Sequence, residues 1–228
     1  MIEIIATNAD EAKIIEKLKA DRVELVTAFS EGGLTPSYGI IESTVKAVNI
    51  PVNVMIRPQP VSFVYSLEEV KVMKKDIQVV KSLGANGVVL GILNPDKKIN
   101  EELLAELIAE CTGLEVTFHK AIDHVPNLVK AVTTLAKYKQ ITNILTAGGL
   151  NNITNNIQRI KEMIAVKKDL KIMLGGGLNF ENIKTLITET KADAYHFGTA
   201  IRYNNSHFEA INAEKLASLV DLIKNTEK

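Results

Sequence analysis

The residues of this chain best suited to chemistry are few and concentrated. The run Thr117-Phe118-His119-Lys120-Ala121-Ile122-Asp123-His124 brings an imidazole, an ammonium and a carboxylate into one short stretch. An imidazole titrates near neutrality and can act as a general acid or base, provided a neighbouring group fixes its tautomer. His119 is therefore a candidate catalytic residue, with Asp123 four positions later as its orienting partner and His124 as a weaker candidate. Two further charges sit inside apolar runs: Glu24 within Arg22–Val26, and Arg57 just after Val52–Ile56. A buried charge is costly unless paired, so Glu24 and Arg57 are expected to meet, either as a structural ion pair or as a substrate site. A carboxylate at Glu24 could move a proton. The planar guanidinium of Arg57 suits a carboxylate or phosphate ligand, and Arg57→Ala is expected to abolish anion binding while sparing the fold. Glu3 lies near the start of its run and is assigned to structure.

Glycines supply the second kind of candidate. Gly175-Gly176-Gly177 and the pair Gly198-Thr199 each follow an apolar run, and Gly148-Gly149 makes a third such turn. Without a Cβ, glycine lets backbone N–H groups approach an anion closely, and a following helix start adds favourable dipole charge. These segments are expected to hold a small anion such as a phosphate, with His196 beside them. The alternatives are that the glycines only make tight turns and that His196 is a packed side chain with a backbone partner.

These residues need a scaffold that brings them to one place. Short β-branched runs alternate with amphipathic stretches at roughly 25 to 30 residues, the βαβα pattern of a parallel sheet. The predicted strands are Ile2–Ala6, Arg22–Val26, Val52–Ile56, Gly87–Ile92, Glu115–Phe118, Asn143–Thr146, Lys171–Leu174 and Ala194–Phe197. Helical stripes recur between them, as in Val70, Met73, Ile77 and Val80, or Ile153, Ile157, Ile160 and Ile164. Thr35-Pro36 reads as a helix start, Ser66-Leu67-Glu68-Glu69 as a capping box, and Gly84 and Gly113 as stops. Eight units without a linker or composition shift predict one α/β domain over residues 1–228, a single (β/α)8 TIM barrel, with its site at the carboxyl ends of the strands. An open doubly wound sheet is the alternative, but the first turn, Ala6-Thr7-Asn8-Ala9, has no glycine to hold phosphate.

Composition narrows the partners. Lys plus Arg number 27 against 27 for Asp plus Glu, and the isoelectric point lies near 6.9, so no general field draws nucleic acid or anionic membrane. The N-terminal residues lack a basic region followed by an apolar stretch, and no run is long enough to span a bilayer, which together predict a cytoplasmic protein. The one cysteine, Cys111, fits a reducing compartment and falls on a stripe with Leu103, Leu104, Leu107 and Ile108, where it reads as core. Met55 also reads as core, and the four histidines show no tight metal spacing. Metal ligands therefore stay unassigned.

Several segments resemble the CutC family of copper homeostasis proteins, in order and over nearly the whole chain: Asp21-Arg22-Val23-Glu24-Leu25, Glu31-Gly32-Gly33-Leu34-Thr35-Pro36-Ser37, Met55-Ile56-Arg57-Pro58 and Thr117 to Asp123. Phe63-Val64-Tyr65-Ser66 and Ile144-Leu145-Thr146 agree as well. The resemblance implies a TIM barrel, a cytoplasmic location, homo-oligomers and a role associated with copper, and it reinforces Glu24, Arg57, His119 and Asp123. It also exposes departures. Many relatives carry cysteines, candidates for Cu(I) ligation, on the first two strands where this chain has Ile5 and Val26, so thiolate ligands are absent there. Where the family often has a glycine-rich, acidic turn after the arginine-proline, this chain reads Gln59-Pro60-Val61-Ser62. Three functions follow as expectations: a CutC-type protein associated with copper homeostasis that binds a copper ion weakly or not at all through its own side chains, an enzyme acting on a small anionic or phosphorylated substrate, or a catalytically inert sensor or scaffold.

Overall fold

In the computed structural model, which describes residues 1–226, the apolar runs form eight parallel strands: β1 (Ile2–Ala6), β2 (Arg22–Leu25), β3 (Val52–Met55), β4 (Gly87–Leu90), β5 (Glu115–Phe118), β6 (Ile141–Thr146), β7 (Lys171–Leu174) and β8 (Ala194–Phe197). They pair in chain order, and β8 returns to β1 to close a barrel, which removes the exposed edges that an open sheet would leave. Between and after them run α1 (Ala9–Lys17), α2 (Tyr38–Ala47), α3 (Leu67–Ser82), α4 (Glu101–Glu110), α5 (Leu128–Leu135), α6 (Ile157–Val166), α7 (Ile183–Thr190) and α8 (Ala213–Thr226). The chain is thus a (β/α)8 barrel, as its pattern of runs predicts. No helix among the described residues is long and apolar enough to cross a membrane.

Side-chain alternation divides each strand between two cores. Ile2, Ile4 and Ala6 of β1 join the large shell that packs the strands against helices such as α1, through Ala12 and Ile15. Glu3 and Ile5 point the other way, into the barrel. There Ile5, Val26, Met55 and Val89 form one small apolar cluster, and Leu145, Met173 and Ala194 another. Between these clusters the lumen is polar: Glu3, Arg22, Glu24, Asn53, Thr117, Asn143 and His196 are all buried. The helices follow their sequence signals closely. Val70, Met73, Ile77 and Val80 of α3 are buried, and Ser66 and Glu69 exchange the two hydrogen bonds of a capping box. Gly84 and Gly113 take positive φ just beyond helix ends, where glycine avoids a Cβ clash.

Four local expectations are corrected. The helix near Thr35-Pro36 begins instead at Tyr38, capped by the Ser37 hydroxyl, which accepts from the Ile40 N–H. Thr35 cannot cap because it is pinned to β3: its N–H donates to the Arg57 carbonyl and its Oγ1 accepts from the Arg57 N–H. The stripe from Ile153 to Ile164 is two elements, a 3-10 helix (Ile153–Asn156) and then α6, because the Asn156 amide turns back to donate to the Ala147 carbonyl. Strands β2, β3 and β4 stop earlier than expected as the chain bends into the rim loops, although the Val26 and Ile56 N–H groups continue the ladder by one bond each. Strand β6 starts earlier, at Ile141, which pairs with Val116 across a register shift.

Candidate functional site

Inward-facing residues at the carboxyl ends of the strands enclose a pocket of about 290 Å³. Its lining includes Glu24, Arg57, His119, Gly176, Gly177, His196, Gly198 and Thr199, so the barrel gathers most of the residues singled out in the sequence. Gly175 and Asp123 are not on this wall. Gly175 is a packing glycine, since a Cβ there would lie 2.6 Å from Leu145 Cδ1 and 3.1 Å from the His196 ring. His124 is exposed and lines neighbouring hollows rather than this pocket. Phe29, Phe63, Lys120 and His207 also line it and were given no role of their own from sequence.

Glu24 does not pair with Arg57. It lies next to His196, whose Nε2 is 3.6 Å from Glu24 Oε2 while Nδ1 is 2.7 Å from Glu3 Oε1. Glu3 also accepts from Arg22 Nε at 2.5 Å, and Arg22 reaches on to Glu115 at 3.4 Å. A carboxylate–arginine–imidazole stack thus fills the lumen directly under the pocket. Burial pushes Glu3 toward the neutral form, but Arg22 and His196 together outweigh it and hold the carboxyl below its ordinary range. Glu24 has less compensation: burial, reinforced by the Glu3 charge, raises its pKa to about 7 despite the opposing pull of His196. For His196 burial alone would favour the neutral ring, yet the Glu24 and Glu3 carboxylates raise it overall. Glu24 Oε1 has no hydrogen-bond partner among the described residues. A carboxyl poised near neutrality, with one free oxygen on a pocket wall, can give or take a proton at ordinary pH.

Arg57 occupies the expected rim but turns both Nη groups to backbone carbonyls, leaving Nε without a partner among the described residues. Its Nη1 donates to the Glu31 and Gly33 carbonyls and its Nη2 to the Pro60 carbonyl, while the guanidinium carbon sits 4.9 Å from the centre of the Phe63 ring. The guanidinium fastens the loop after β2 to the loop after β3, so Arg57→Ala would not spare the local structure as the sequence suggests.

His119 and Asp123 do not form the expected orienting pair. Asp123 accepts instead from Thr146 Oγ1 at 2.5 Å and from the Ala147 and Gly149 N–H groups, clamping the loop after β6. Burial raises its pKa, with those donors opposing the shift. The His119 ring caps a short 3-10 helix (Lys120–His124): its Nδ1 accepts from the Ala121 N–H at 3.2 Å. Burial, with Arg57 adding to it, lowers the His119 pKa to about 3, so the ring is neutral at ordinary pH. Gly91 makes room for it, because a Cβ at that position would lie 2.5 Å from both Nδ1 and Cε1 of the imidazole. A glycine inside an otherwise continuous apolar strand run is the sequence signal that marks this close approach.

Among the described residues, Lys120 is the one lysine of the wall. Its side chain is 44% exposed, its closest carboxylate oxygen is on Asp123 at 3.9 Å, and its ammonium lies over Gly176, where a Cβ would sit 2.4 Å from Nζ. Gly176 and Gly177 both have positive φ, near +87° and +99°, a conformation that favours glycine and keeps the backbone bare beside the ammonium. Gly198 admits the Phe29 ring, whose Cζ would be 2.5 Å from a Cβ there, and Phe29 in turn meets His207 edge-on.

As for metals, Glu3, Glu24 and His196 offer one ligand atom each within 4.8 Å of one another. Both Glu3 oxygens are already engaged, one by Arg22 and one by His196. Oxygen and imidazole are also hard or borderline donors, unsuited to Cu(I). Cys111 ends α4, fully buried, its thiol bonded to the Leu107 carbonyl and its pKa pushed to about 12 mainly by burial. Ile5 and Val26 contribute methyl groups to the apolar cluster under the pocket. The residues present do not fit a thiolate centre for Cu(I).

Residues 1–201 match the sequence profile of the CutC family. The human copper homeostasis protein cutC homolog is 37% identical over 197 residues, covering 86% of this chain and 72% of the relative. The family protein CutC of Pasteurella multocida is 35% identical over 213 residues, covering 92% and 86%. The crystal structure of a CutC protein from Streptococcus agalactiae superposes with a TM-score of 0.83 at 34% identity, covering 88% of this chain and 99% of that one. Phosphoribosyl anthranilate isomerase from Thermotoga maritima, with a TM-score of 0.67 at 16% identity over 98% of each chain, shares the fold alone. With the barrel closed, the motif residues gathered at its rim and this degree of similarity along the sequence, the chain belongs to the CutC family.

Proposed function

We propose that the rim pocket binds a small anionic, phosphorylated organic molecule and that Glu24 moves a proton on it. The carrying observation is the Glu24 carboxyl, buried at the pocket wall, raised to about 7 and left with one unpartnered oxygen. His196 is its proton partner. Lys120, with the bare backbone of Gly176 and Gly177 and the start of the turn at Gly198 and Thr199, supplies the anion site. Arg57 shapes the entrance from behind, and Asp123 holds the loop after β6 in place. The test is isothermal titration with inorganic phosphate, followed by NMR detection of solvent deuterium entering a panel of small phosphorylated hydroxycarbonyl compounds. Lys120→Ala should weaken phosphate binding about tenfold or more, the loss of one charge-assisted contact. Glu24→Gln should keep binding and lose exchange. Binding indifferent to Lys120, or exchange that survives Glu24→Gln, would remove these roles.

The names of the relatives favour a second reading in which copper is the ligand. Its one structural support among the described residues is the Glu3, Glu24 and His196 group, and the donor chemistry there favours Zn(II) or Cu(II) over Cu(I). Titration of the reduced, metal-free protein with Cu(I) against a competing chelator, with Zn(II) in parallel, separates the two: tight stoichiometric Cu(I) binding would overturn the anion proposal as the primary role. We place the protein in the cytoplasm on its lone buried cysteine. We also propose that copies associate through exposed apolar residues such as Val61 in the loop before α3 and Leu67 and Val72 on its first turns, which light scattering of the eluted protein would check.

A further inference from the structure

His119 is the buried polar group of the pocket for which proton transfer by Glu24 gives no role. We infer that His119 is a neutral imidazole locked in one tautomer, whose Nε2–H donates to a carbonyl or carboxylate oxygen of the ligand, next to the carbon on which Glu24 acts. The inference deepens the proton-transfer proposal and rests on it for the second half of that statement.

The tautomer follows from local geometry. Nδ1 accepts the Ala121 N–H, which uses its lone pair and leaves the single ring proton of a neutral imidazole on Nε2. The ring cannot flip to exchange the two nitrogens without giving up that bond and leaving a buried backbone N–H unpaired. It is also wedged in place. Gly91 closes on one edge, the Phe63 ring lies 4.9 Å from it centre to centre, and the His119 backbone is tied to β4 through a 2.9 Å bond from its N–H to the Leu90 carbonyl. The fixed positive charge of Arg57 beside Phe63 opposes a second proton on the ring, in the same direction as burial. The result is a donor that does not titrate in the working range.

Nε2 itself has no partner among the described residues, and His119 is 4% exposed on the pocket wall. Buried donors without partners are rare in folded proteins because each forfeits its bond to water, and one placed on a pocket wall is matched by a ligand acceptor. The chemistry that acceptor needs follows from what stands with it. Glu24 in its carboxylate form takes a proton from carbon. The electron pair of the broken C–H bond becomes the new C=C bond, and the carbonyl π pair moves onto oxygen, making an enolate. An N–H donor already aimed at that oxygen stabilises the charge as it grows, without itself losing its proton. Return of the proton to the same carbon completes an exchange; where that carbon bears a hydroxyl, passage of the hydroxyl proton to the enolate oxygen, with the proton held by Glu24 delivered to the former carbonyl carbon, completes an isomerisation, and neither course needs an oxidant or reductant. The ligand class is therefore a small phosphorylated or otherwise anionic compound with a carbonyl or carboxylate group, its charge toward Lys120 and its oxygen toward His119.

The experiment uses the full chain labelled with 15N at histidine and long-range 1H–15N NMR from pH 5 to 9, with His119→Asn to assign the signals. The expected pattern for His119 is a pyridine-type Nδ1 and a protonated Nε2, unchanged across the range. A proton on Nδ1, or titration between pH 5 and 9, overturns the inference. Two anions then probe the pocket, 2-phosphoglycolate and inorganic phosphate. 2-Phosphoglycolate should move the Nε2 proton downfield, and its affinity should fall about tenfold in His119→Asn, a variant whose side-chain oxygen can still accept the Ala121 N–H, while phosphate affinity stays unchanged. Phosphate binding that is lost in Lys120→Ala, combined with 2-phosphoglycolate binding that ignores His119, sinks this inference and leaves the anion site standing. Failure of both anions to bind sinks both.

Discussion

Replacing Glu24 by glutamine should stabilise the protein, and the gain should depend on pH in a way that only a raised carboxyl produces. In the fold burial lifts the Glu24 pKa from 4.5 to about 7, with the Glu3 charge adding to it and His196 opposing. Because the folded value lies above the unfolded one, the group adds stability only in its protonated form: the contribution is whole below about pH 4.5 and is lost as pH rises through about 7. The difference between the two values corresponds to about 3 kcal/mol. His196, also raised in the fold, adds a loss of the same sign as it gives up its proton. Glutamine mimics the neutral carboxyl at every pH. Glu24→Gln should therefore match the parent at pH 4 and exceed it by up to about 3 kcal/mol at pH 8.5. Urea unfolding at both pH values, followed by circular dichroism with equal m-values, reads the difference directly. A variant less stable than the parent at pH 8.5, or a difference that does not change with pH, would refute the reasoning and make Glu24 an ordinary ionised partner of His196.

Other perturbations test how the pocket is held. Asp123→Asn removes the charge that gathers Thr146 Oγ1 and the Ala147 and Gly149 N–H groups, and should cost about 2 kcal/mol. Hydrogen exchange at Ala147 and Gly149 should speed up while α3 stays protected; unchanged exchange would show that the loop does not depend on the carboxylate. Arg57→Ala leaves the Glu31, Gly33 and Pro60 carbonyls without their donor and should lower stability by about 2–4 kcal/mol in thermal melts. A melting temperature equal to the parent's would return Arg57 to a purely ligand-facing role. Gly91→Ala places a methyl carbon 2.5 Å from the His119 ring and should cost about 1–3 kcal/mol as the imidazole is driven from its seat, seen as a change in its 15N signals.

The architecture was legible because its signals are local. Eight β-branched runs, the α3 stripe at Val70, Met73, Ile77 and Val80, and the capping box at Ser66 and Glu69 each declare themselves within a few residues. The gathering of Glu24, Arg57, His119 and His196 followed from the rule that barrel sites lie at strand carboxyl ends. The pairings were not legible. Alternation places Glu24 and Arg57 on inward faces of neighbouring strands, but which carboxylate meets which cation is set by register and side-chain reach across the lumen, and there Arg22 meets Glu3 while His196 bridges Glu3 and Glu24. His119 and Asp123 stand four apart, a spacing that brings side chains together on an α-helix; the intervening segment is a 3-10 helix and Asp123 turns to β6 instead. Lys120 was counted among the titratable groups of the run after β5 but given no role of its own, because only the bare backbone at Gly176 shows where its ammonium rests.

The charged stack in the lumen has a bearing on how this sequence can change over generations. Arg22 is tied to Glu3, reaches Glu115 and lies 3.6 Å from Met173 Sδ, while Glu3 also holds His196. Deleting Glu3 or Arg22 alone leaves the other as an uncompensated buried charge, a loss of about 3–5 kcal/mol that approaches the whole margin of many domains. Drift cannot dismantle such a group one residue at a time, and an apolar lumen, even if it were more stable, lies across a valley of unfolded intermediates. Substitutions that arrive together are exempt. Libraries that vary Glu3 and Arg22 jointly should recover folded variants that libraries of either position alone do not contain, so the barrel interior evolves in blocks while its outer helices change residue by residue.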